Sequence, residues 1–459
     1  MAKKRKKHQK TVRLGIDFGT TRTVVASVEE GNYPVCTFSW REETKDYIPS
    51  LVAIKKGKVI FGWEAMDALR DPEARALRSI KRLAGRLRPE DTLDLSPGVS
   101  FTLLDLLTLF FCHLRDMIIY NGNLLLQGRE RMEVEVATPA NANSNQRYMT
   151  MEAFQRAGFK VIGAMNEPTA AAVEFFHRNL KKVGPKSPKK YVAVYDLGGG
   201  TFDTSLVGLA DRNFDVIANQ GMARLGGDDF DEVILDLALE AMGRSKEDLN
   251  AGELVQLLEE CRERKEGLKA NTRKMVVDPA IVFPGEGPVV LGTDQVYKNC
   301  GPLIQRSLDE LRQIMERLPE EGIDPEDTRA LAAIYLVGGS VSFPPVSRRL
   351  REDFPTKVKV SPYPHAATAI GLAVASDPLL GVRVRESVSR YFGLWREHEE
   401  GLEKIFDPIF FKDKTVDLKT GELRVSRVYH PVHNIGHFRF LECSGLGKAG
   451  EPEGDIILL

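Results

Sequence analysis

The 459-residue sequence has few cysteines, no long apolar run and almost no net charge. Its five cysteines are scattered and form no CxxC pair, which favours reduced thiols in a cytoplasmic protein over a disulfide framework. The most apolar stretch, residues 103–112, is too short to cross a bilayer, so we expect a core helix there and no membrane partner. A formal net charge of -1 provides no global field that would attract nucleic acid.

Two common site signatures are also missing. No GxxxxGK[ST] motif occurs, which excludes a P-loop enzyme. A formal GxGxxG at residues 445–450 is followed by only nine residues, too few for the helix that such a motif requires, so we interpret it as chance. His430, His433 and His437 are interrupted by a proline and a glycine, and we expect exposed histidines there rather than a metal site.

The charge that is present is concentrated at the start of the chain. Residues 1–10 contain six lysines and arginines and no apolar stretch follows them, so we expect a disordered, solvated tail rather than a secretory signal. This tail is the segment through which nucleic acid contact is conceivable.

Two blocks of the sequence share one pattern. Residues 12–28 and 191–207 each read as an apolar strand, an aspartate, a glycine turn and a second apolar strand. Such similarity predicts an internal duplication, and the alternating helical and strand patterns predict an α/β fold. We therefore expect two α/β lobes, each presenting one hairpin to a shared cleft. The predicted units are a basic tail over 1–10, lobe I over 11–190, lobe II over 191–380, and a small β-rich unit over 381–459.

Three glycine turns follow predicted strands: residues 19–21, 198–201 and 338–340. Glycine lets consecutive backbone N–H groups approach an anion, so three such turns indicate a phosphate or nucleotide site. Asp17 and Asp196 stand at the entrance of two of these turns. Carboxylates in that position suit Mg²⁺, which keeps most of its waters and is held by a few carboxylates together with phosphates.

These motifs resemble those of a known family. Residues 14–21 (LGIDFGTT), 196–203 (DLGGGTFD) and 336–340 (LVGGS) are similar to the phosphate and adenosine motifs of the actin-like ATPase superfamily. Residues 166–172 (NEPTAAA) and 80–86 (IKRLAGR), together with residues 225–231 (LGGDDFD), narrow the resemblance to the DnaK-type seventy-kilodalton heat-shock chaperones. It covers about residues 11–380 in matching order, and the remaining 80 or so residues identify a truncated member without a full substrate-binding domain.

The resemblance implies a role for each matching residue. Lys81 would position the attacking water, Asp203 would help to accept its proton, and Thr201 would contact the γ-phosphate of ATP. Asp17, Glu167 and Asp196 would organise the hydration shell of Mg²⁺, with K⁺ ions beside it. Pro139 and Arg147 would relay the nucleotide state, ATP or ADP, to the rest of the chain. The implied nucleotide contacts are Asp17, Gly19, Thr20, Thr21, Arg22, Gly198, Gly199, Gly200, Gly226, Gly227, Arg262, Lys265, Glu266, Lys269, Gly338, Gly339, Ser340 and Ser342.

On the adenosine side the sequence departs from the family. A helix that carries Glu, Lys, Arg and Ser in the family carries Arg262, Lys265, Glu266 and Lys269 here. A second base-stacking arginine is replaced by Ser342, and a family aspartate is replaced by His365. Because two stacking planes of about 1 kcal/mol each are lost, we expect weaker and less adenine-selective nucleotide binding.

The residues that would pass the nucleotide state on to the rest of the chain depart further from the family pattern. A charged stretch near residues 382–386 replaces the apolar linker of the family, and Gly163 stands where an arginine helps to engage J-domain co-chaperones. Residues 421–442 have β-type alternation, which predicts a strand within the small C-terminal unit. These departures leave binding of an unfolded peptide client, a J-domain co-chaperone and an exchange factor open.

The leading interpretation is a monomeric, ATP-hydrolysing chaperone-like protein with slow turnover between ATP and ADP. A second is a nucleotide-binding regulator or scaffold of the same fold with little turnover. A third is an actin-like filament protein, and a sugar or acetate kinase of this fold is a distant fourth.

Overall fold

The computed structural model describes residues 10–458 except 70, 72–73, 181–182, 184–186, 211, 223, 322–328, 399–402, 413, 418–422 and 431–435. The basic tail up to residue 9, half of the lysine-rich connection at 181–190, and His433 lie outside the described residues. All five cysteines are free. In the part of the chain that the structure describes, no helix combines the length and apolarity that a membrane span needs.

The first lobe is built on a five-stranded mixed sheet. The hairpin that the sequence predicts from residue 12 forms the antiparallel pair β1–β2, and β11 and β12 add parallel to β1, giving the order β12-β11-β1-β2-β5. The elements of this lobe are β1 (Thr11–Phe18), β2 (Arg22–Ser27), β3 (Phe38–Trp40), β4 (Glu43–Lys45), β5 (Ile48–Pro49), β6 (Val52–Lys55), β7 (Lys58–Phe61), α1 (Gly62–Ala68), β8 (Arg75–Leu77), α2 (Ile80–Ala84), β9 (Thr92–Ser96), β10 (Val99–Thr102), α3 (Leu103–Tyr120), β11 (Arg131–Thr138), α4 (Ser144–Arg156), β12 (Lys160–Asn166) and α5 (Glu167–Arg178).

The second lobe repeats this plan. The hairpin β13–β14 pairs antiparallel, β18 and β19 extend it in parallel, and the full order is β19-β18-β13-β14-β15-β20-β23. Its elements are β13 (Tyr191–Leu197), β14 (Phe202–Ala210), β15 (Asn213–Met222), α6 (Gly227–Ala241), α7 (Ala251–Glu266), β16 (Lys274–Val277), β17 (Val289–Gly292), α8 (Thr293–Met315), β18 (Leu331–Val337), α9 (Pro344–Asp353), β19 (Val358–Val360) and α10 (Ala367–Ser376). The shared order of hairpin and parallel strands confirms the predicted duplication.

Two helices cross between the lobes. Helix α5 follows the first sheet but packs on β13 and β14 of the second, and α10 follows the second sheet but packs on β1, β2 and β11 of the first. Where these helices meet, Gly371 is so close to the other helix that an added Cβ would lie 1.8 Å from the carbonyl oxygen of Ala170. The lobes are therefore joined by a tightly packed helix pair, which sets how the two hairpins face each other.

Helix α3 illustrates how local sequence builds the core. Thr102 caps its start by accepting a hydrogen bond from the backbone N–H of Asp105, and that acidic residue lies in the favourable first turn. The apolar stretch predicted as a core helix is confirmed, with Phe110 and Phe111 fully buried and Phe111 stacked on Phe154 at 3.8 Å between ring centroids. Burying each such side chain contributes roughly 1.5–3 kcal/mol.

Helix α8 continues through a proline. It runs from Thr293 to Met315 with Pro302 inside it. A proline removes one backbone donor and usually ends a helix. Here the apolar side chains of Val296, Cys300 and Ile304 are buried against the second lobe on both sides of the proline, and this packing sustains the helix.

The C-terminal residues form a four-stranded antiparallel sheet in the order β22-β21-β24-β25, which we call the C-terminal sheet. Its core is small, consisting of Phe406, Leu441 and Cys443 with a few half-buried neighbours. The strand predicted over 421–442 is wrong for 423–430, which are described as irregular and mostly exposed, since the pairing starts only at Arg439. The last elements are β20 (Arg383–Ser387), β21 (Tyr391–His398), β22 (Glu403–Phe410), β23 (Thr415–Asp417), β24 (Arg439–Leu446) and β25 (Pro452–Leu458).

The boundary between the second lobe and the C-terminal sheet is continuous. Strand β20 pairs in parallel with β15 of the second lobe, and β23 pairs antiparallel with β20. Residues beyond 380 thus complete the second sheet, with β20 before the chain enters the C-terminal sheet and β23 between strands β22 and β24 of that sheet. Residues 445–450, where the GxGxxG pattern occurs, lie at the end of β24 and in the turn towards β25.

Candidate functional site

A cleft between the lobes collects the glycine turns predicted from the sequence. The β1–β2 turn supplies Gly19 to Arg22, the β13–β14 turn supplies Gly198, Gly199 and Thr201, and the turn after β18 supplies Gly338 to Ser340. Asp17 and Asp196 line the same cleft. Three glycine turns and two carboxylates therefore line one shared space.

Two of these turns are tied directly to each other. Gly338 has φ +86, a left-handed conformation, and an added Cβ would lie 2.3 Å from the carbonyl oxygen of Leu197, so only glycine fits there. The Ser340 hydroxyl donates to the carbonyl oxygen of Gly198 at 2.8 Å. These contacts hold the backbones of the two turns close enough to act on one anion.

At the centre of the cleft lies a buried cation among carboxylates. The Lys81 side chain comes from α2 and is only 4% exposed, and its ammonium forms an ion pair with Glu167 at the start of α5. Burial alone would lower the pKa of Lys81, but the charges of Glu167 and Asp17 outweigh it and raise the pKa above its ordinary value. Lys81 is therefore protonated at neutral pH.

Three of the carboxyl groups in this centre have raised pKa values. Burial, and next the charge of Glu167, raise the pKa of Asp17 to about 7 and that of Asp203 to about 7. The same two causes raise the pKa of Asp196 well above its ordinary value. Four carboxylates around one lysine leave an excess of negative charge, which is stable only with protons or with added cations.

The excess of negative charge raises the question of whether these residues fit a metal ion. The Oδ1 atom of Asp17 is buried and has no hydrogen-bond partner. Among the described residues, however, no three His, Cys, Asp or Glu side chains are grouped so that they could hold an ion by themselves. The unpartnered oxygen of Asp17 suits Mg²⁺ held through its water shell and through phosphates, where Asp17, Glu167 and Asp196 would bond to the waters.

The α7 side of the cleft carries the residues predicted to face the adenosine. Lys265 is buried, donates to the carbonyl oxygen of Gly227 at 2.6 Å and pairs with Asp231 at 2.7 Å. Arg262 is buried and pairs with Glu259 and Glu266. The guanidinium of Arg262 is therefore committed to neighbouring carboxylates rather than free to stack.

Contacts between the lobes close the front of the cleft. Arg22 pairs with Glu266 at 2.5 Å, and His365 bonds to Asp46 at 2.8 Å. Deeper inside, the Ser79 hydroxyl donates to a carboxylate oxygen of Asp228 at 2.7 Å. A nucleotide in this cleft would be enclosed rather than open to solvent.

A second cavity lies behind Lys81, and we call it the rear cavity. Its lining includes Lys81, Thr201 and Asp203 together with Arg86 and Arg224. Lys81 and Thr201 also line the main cleft, so the two spaces meet at these side chains.

Arg147, predicted as a relay residue, connects the centre to the C-terminal residues. Its guanidinium donates to Thr138 Oγ1 at 2.8 Å, to the carbonyl oxygen of Ala140 at 3.1 Å and to Asn166 Oδ1 at 3.0 Å. The backbone N–H of Asn166 in turn donates to Glu386 of β20 at 3.0 Å. Asn166 immediately precedes the catalytic candidate Glu167, so β20 is one residue away from the charged centre.

The C-terminal sheet contacts the same region from another strand. Glu442 of β24 is fully buried, pairs with Arg390 and accepts hydrogen bonds from the backbone N–H of Ser144 at 3.1 and 3.2 Å. Ser144 is the first residue of α4, and a carboxylate there is favoured by the free N–H groups and the helix dipole.

Most predicted site residues line the main cleft, and a few lie elsewhere. Asp203 lines the rear cavity, as does Pro139. Lys269 lies outside the lining and is exposed, three residues beyond the end of α7 at Glu266. Gly200 and Gly226 are also outside the lining and support it from behind. The predicted residues that line the main cleft are Asp17, Gly19, Thr20, Thr21, Arg22, Lys81, Glu167, Asp196, Gly198, Gly199, Thr201, Gly227, Arg262, Lys265, Glu266, Gly338, Gly339, Ser340 and Ser342.

Several lining residues were not assigned to the site from the sequence. Asp228 and Asp231 lie within the motif at 225–231, so the signal was available, but only its glycines were taken as contacts. His365, which the sequence analysis placed on the adenosine side, lines the cleft as well, and its bond to Asp46 gives it a partner from the first lobe. No local pattern marks Asp46, because its importance arises from a contact across 319 residues of sequence.

Comparison with known proteins agrees with this geometry. Residues 127–389 match the family model described as Hsp70 protein. The chain is 31% identical over 390 residues to a chaperone protein HscA homolog from Colwellia psychrerythraea, which covers 82% of this chain and 59% of that protein. It is 32% identical over 381 residues to the chaperone protein DnaK of Thermotoga neapolitana, which covers 80% of this chain and 59% of that protein. The chain therefore spans about three fifths of the length of these curated relatives.

Proposed function

This chain belongs to the Hsp70 family, and we propose that it binds ATP with Mg²⁺, hydrolyses it slowly, and changes the docking of its C-terminal sheet with nucleotide state. The observation that carries the proposal is the buried pair of Lys81 and Glu167, set among further carboxylates and facing three glycine turns. A core with a purely structural role does not require a buried ammonium, because apolar residues at these positions would give a more stable fold.

Each residue of the centre has a role in such a reaction. Protonated Lys81 holds a water in line with the terminal phosphate and offsets the negative charge that develops there. Asp203, with a pKa raised to about 7 by burial and by Glu167, can accept a proton from that water near neutral pH. Thr201 lines the rear cavity together with both residues and would donate to a terminal phosphate oxygen. Mg²⁺, when bound, neutralises phosphate charge and orients the phosphates.

The acidic residues and the turns bind and enclose the substrate. Asp17, Glu167 and Asp196 would bond to the metal waters, and a cation that replaces the protons would relieve the raised proton affinity of Asp17 and Asp196. Because the lobe contacts at Arg22 and His365 restrict exchange with solvent, bound nucleotide is retained and turnover is slow. The Hsp70 family as a whole fits a mode of phosphoryl transfer in which the protein mainly positions the reacting groups.

Coupling to the C-terminal sheet is the second part of the proposal. The path runs from Glu167 to Asn166, and from there to Arg147 and to Glu386 of β20. If Glu167 moves when a nucleotide arrives, the hydrogen bonds of Asn166 change on the side that faces β20. ATP then favours one docking arrangement only to the extent that it binds that arrangement more tightly. Binding of an unfolded peptide, a J-domain co-chaperone or an exchange factor would act on this same equilibrium.

A nucleotide-binding regulator with little turnover is the competing function. The pairing of Glu266 with Arg22 and Arg262 favours it, because these contacts replace the base-stacking arginines expected in the family. Both functions predict nucleotide binding, and they differ in hydrolysis. An actin-like filament would instead sediment with ATP.

Single-turnover hydrolysis of bound ATP separates these possibilities. We expect Lys81→Ala to slow hydrolysis by about a hundredfold or more, the usual effect of removing one charge-stabilising donor. Lys58→Ala is the matched control, because Lys58 is exposed on β7 and distant in the chain from the cleft. If wild type and Lys81→Ala hydrolyse ATP equally slowly while both bind it, the regulator is correct.

A further inference from the structure

The rear cavity contains positive charge that the proposed reaction does not use. Arg82, Arg86 and Arg224 all line it. Arg82 is committed, since it donates to the carbonyl oxygen of Gly200 at 2.8 Å and to Asp229 at 2.9 Å. Among the described residues, neither Arg86 nor Arg224 is paired with a carboxylate.

These two guanidiniums are close enough to oppose each other. Burial, and then the charges of Arg224 and Arg82, lower the pKa of Arg86. Placing like charges together costs free energy unless an anion joins them, and no structural reason for the arrangement is visible in the packing. Arg86 and Arg224 are both exposed, so the cavity reaches solvent at these two side chains.

The position of the rear cavity suggests which anion it takes. Lys81 and Thr201 line both the main cleft and the rear cavity, and they are the groups proposed to act at the terminal phosphate, Lys81 through the attacking water and Thr201 directly. Inorganic phosphate produced there could not leave through the front of the cleft, because ADP and the lobe contacts of Arg22 and His365 block that side. The rear cavity starts at the same two side chains and ends at two arginines that face solvent.

We propose that the rear cavity is a binding site for inorganic phosphate, through which the phosphate product leaves past Arg86 and Arg224 while ADP stays in the cleft. The inference rests on the proposed ATP hydrolysis for its source of phosphate. Arg86 and Arg224 bind the anion with charge-assisted hydrogen bonds, and the polar groups of Asn141 and Gln146 line the passage between them and Lys81. The carboxylate of Asp203 lines the inner end and favours departure of the anion towards the arginines.

The first test needs no turnover. Inorganic phosphate is titrated by calorimetry into the full chain saturated with ADP and Mg²⁺. Each of Arg86→Gln and Arg224→Gln is expected to weaken phosphate binding by about tenfold, the effect of one charge-assisted hydrogen bond. Arg88→Gln is the matched control and should bind like wild type, because Arg88 is exposed and lies outside the cavity lining. Equal phosphate affinity in wild type and the Arg86→Gln, Arg224→Gln double variant would overturn the proposal.

The second test follows release of phosphate. In a single turnover, a fluorescent phosphate sensor reports release, and quenched samples report hydrolysis. The interval between hydrolysis and release should lengthen about tenfold in the double variant relative to Arg88→Gln. Release that keeps pace with hydrolysis in both variants would contradict the exit route. A wild type that binds phosphate through the arginines but hydrolyses no ATP would refute the proposed function alone.

Discussion

Arg22 of the first lobe and Glu266 of the second form an ion pair of 2.5 Å across the front of the cleft. The guanidinium of Arg22 also lies over the ring of Tyr47 at 4.7 Å, and Glu266 accepts a second hydrogen bond from Arg262 at 3.2 Å. Burial would raise the pKa of Glu266, but Arg22 and Arg262 outweigh it and lower the pKa, so the carboxylate is ionised at neutral pH. Glu266 therefore joins two arginines from different lobes.

Removing this charge should loosen the front of the cleft. We expect Glu266→Gln to speed dissociation of a fluorescent ATP analogue by about two- to fivefold, since a half-exposed ion pair contributes up to about 1 kcal/mol. Stopped-flow displacement measures this rate. Glu263→Gln, on the exposed side of the same helix, controls for the loss of charge and should dissociate like wild type. Equal rates in all three proteins would show that the pair does not restrain the nucleotide.

Base selectivity follows from the same region. Because Glu266 and Ser342 replace stacking arginines, ATP and GTP should bind with dissociation constants within about tenfold of each other. Calorimetry with ATP, GTP and ADP measures these constants. Ser342→Arg restores one stacking group and should increase the preference for ATP by about fivefold. Tight binding that is strictly selective for ATP in the wild type would contradict the expectation.

The helix crossing makes a prediction about stability. Gly371→Ala places a methyl group against the backbone of Ala170, which cannot yield without separating α5 from α10. We expect the free energy of unfolding to fall by about 3 kcal/mol, at the upper end of overpacking effects. Gly301→Ala is the control, since that helical glycine faces open space and alanine there should stabilise by up to about 1 kcal/mol. Urea unfolding compares the two, and equal stabilities would disprove the close packing.

Asp231 makes a prediction about pH. Burial raises the pKa of its carboxyl to about 6, although Lys265 opposes the shift. The folded state therefore binds this proton more tightly than the unfolded state, where the pKa is about 3.9. The stabilisation is present below pH ~4 and is lost as the pH rises through ~6, by roughly 3 kcal/mol.

Urea unfolding between pH 4 and 8 tests this sign. The difference in unfolding free energy between wild type and Asp231→Asn should decrease across roughly pH 4 to 6 and then remain level. Asp236→Asn, on the exposed face of α6, should keep the wild-type pH dependence. A difference between wild type and Asp231→Asn that grows with pH would reverse the assigned pKa shift.

The sequence predicted the fold well where local pattern determines structure. Each hairpin has apolar strand residues on both sides of an aspartate and a glycine turn. This pattern can be recognised in either of the two sequence blocks on its own. The burial of Asp17 and Asp196 in one cleft then follows from the duplication. Lys81 is different: composition alone indicates a solvated surface lysine, and only the family resemblance placed it in the site.

What the sequence could not predict depends on contacts between distant segments. The start of α8 at Thr293 depends on packing that outweighs Pro302, and the strand at β24 depends on pairing with β21 rather than on its own alternation. The ion pair of Arg22 and Glu266 joins residues 244 positions apart. Periodicity contains no information about which of many exposed charges will meet across a cleft.

The most direct test is a crystal structure of the chain with a non-hydrolysable ATP analogue and Mg²⁺. The triphosphate is expected between the turns at Gly19, Gly198 and Gly338, with Mg²⁺ waters on Asp17 and Asp196 and the base beside Arg262 and Ser342. A nucleotide bound outside this cleft, or a cleft that stays empty at saturating analogue, would contradict the proposed function.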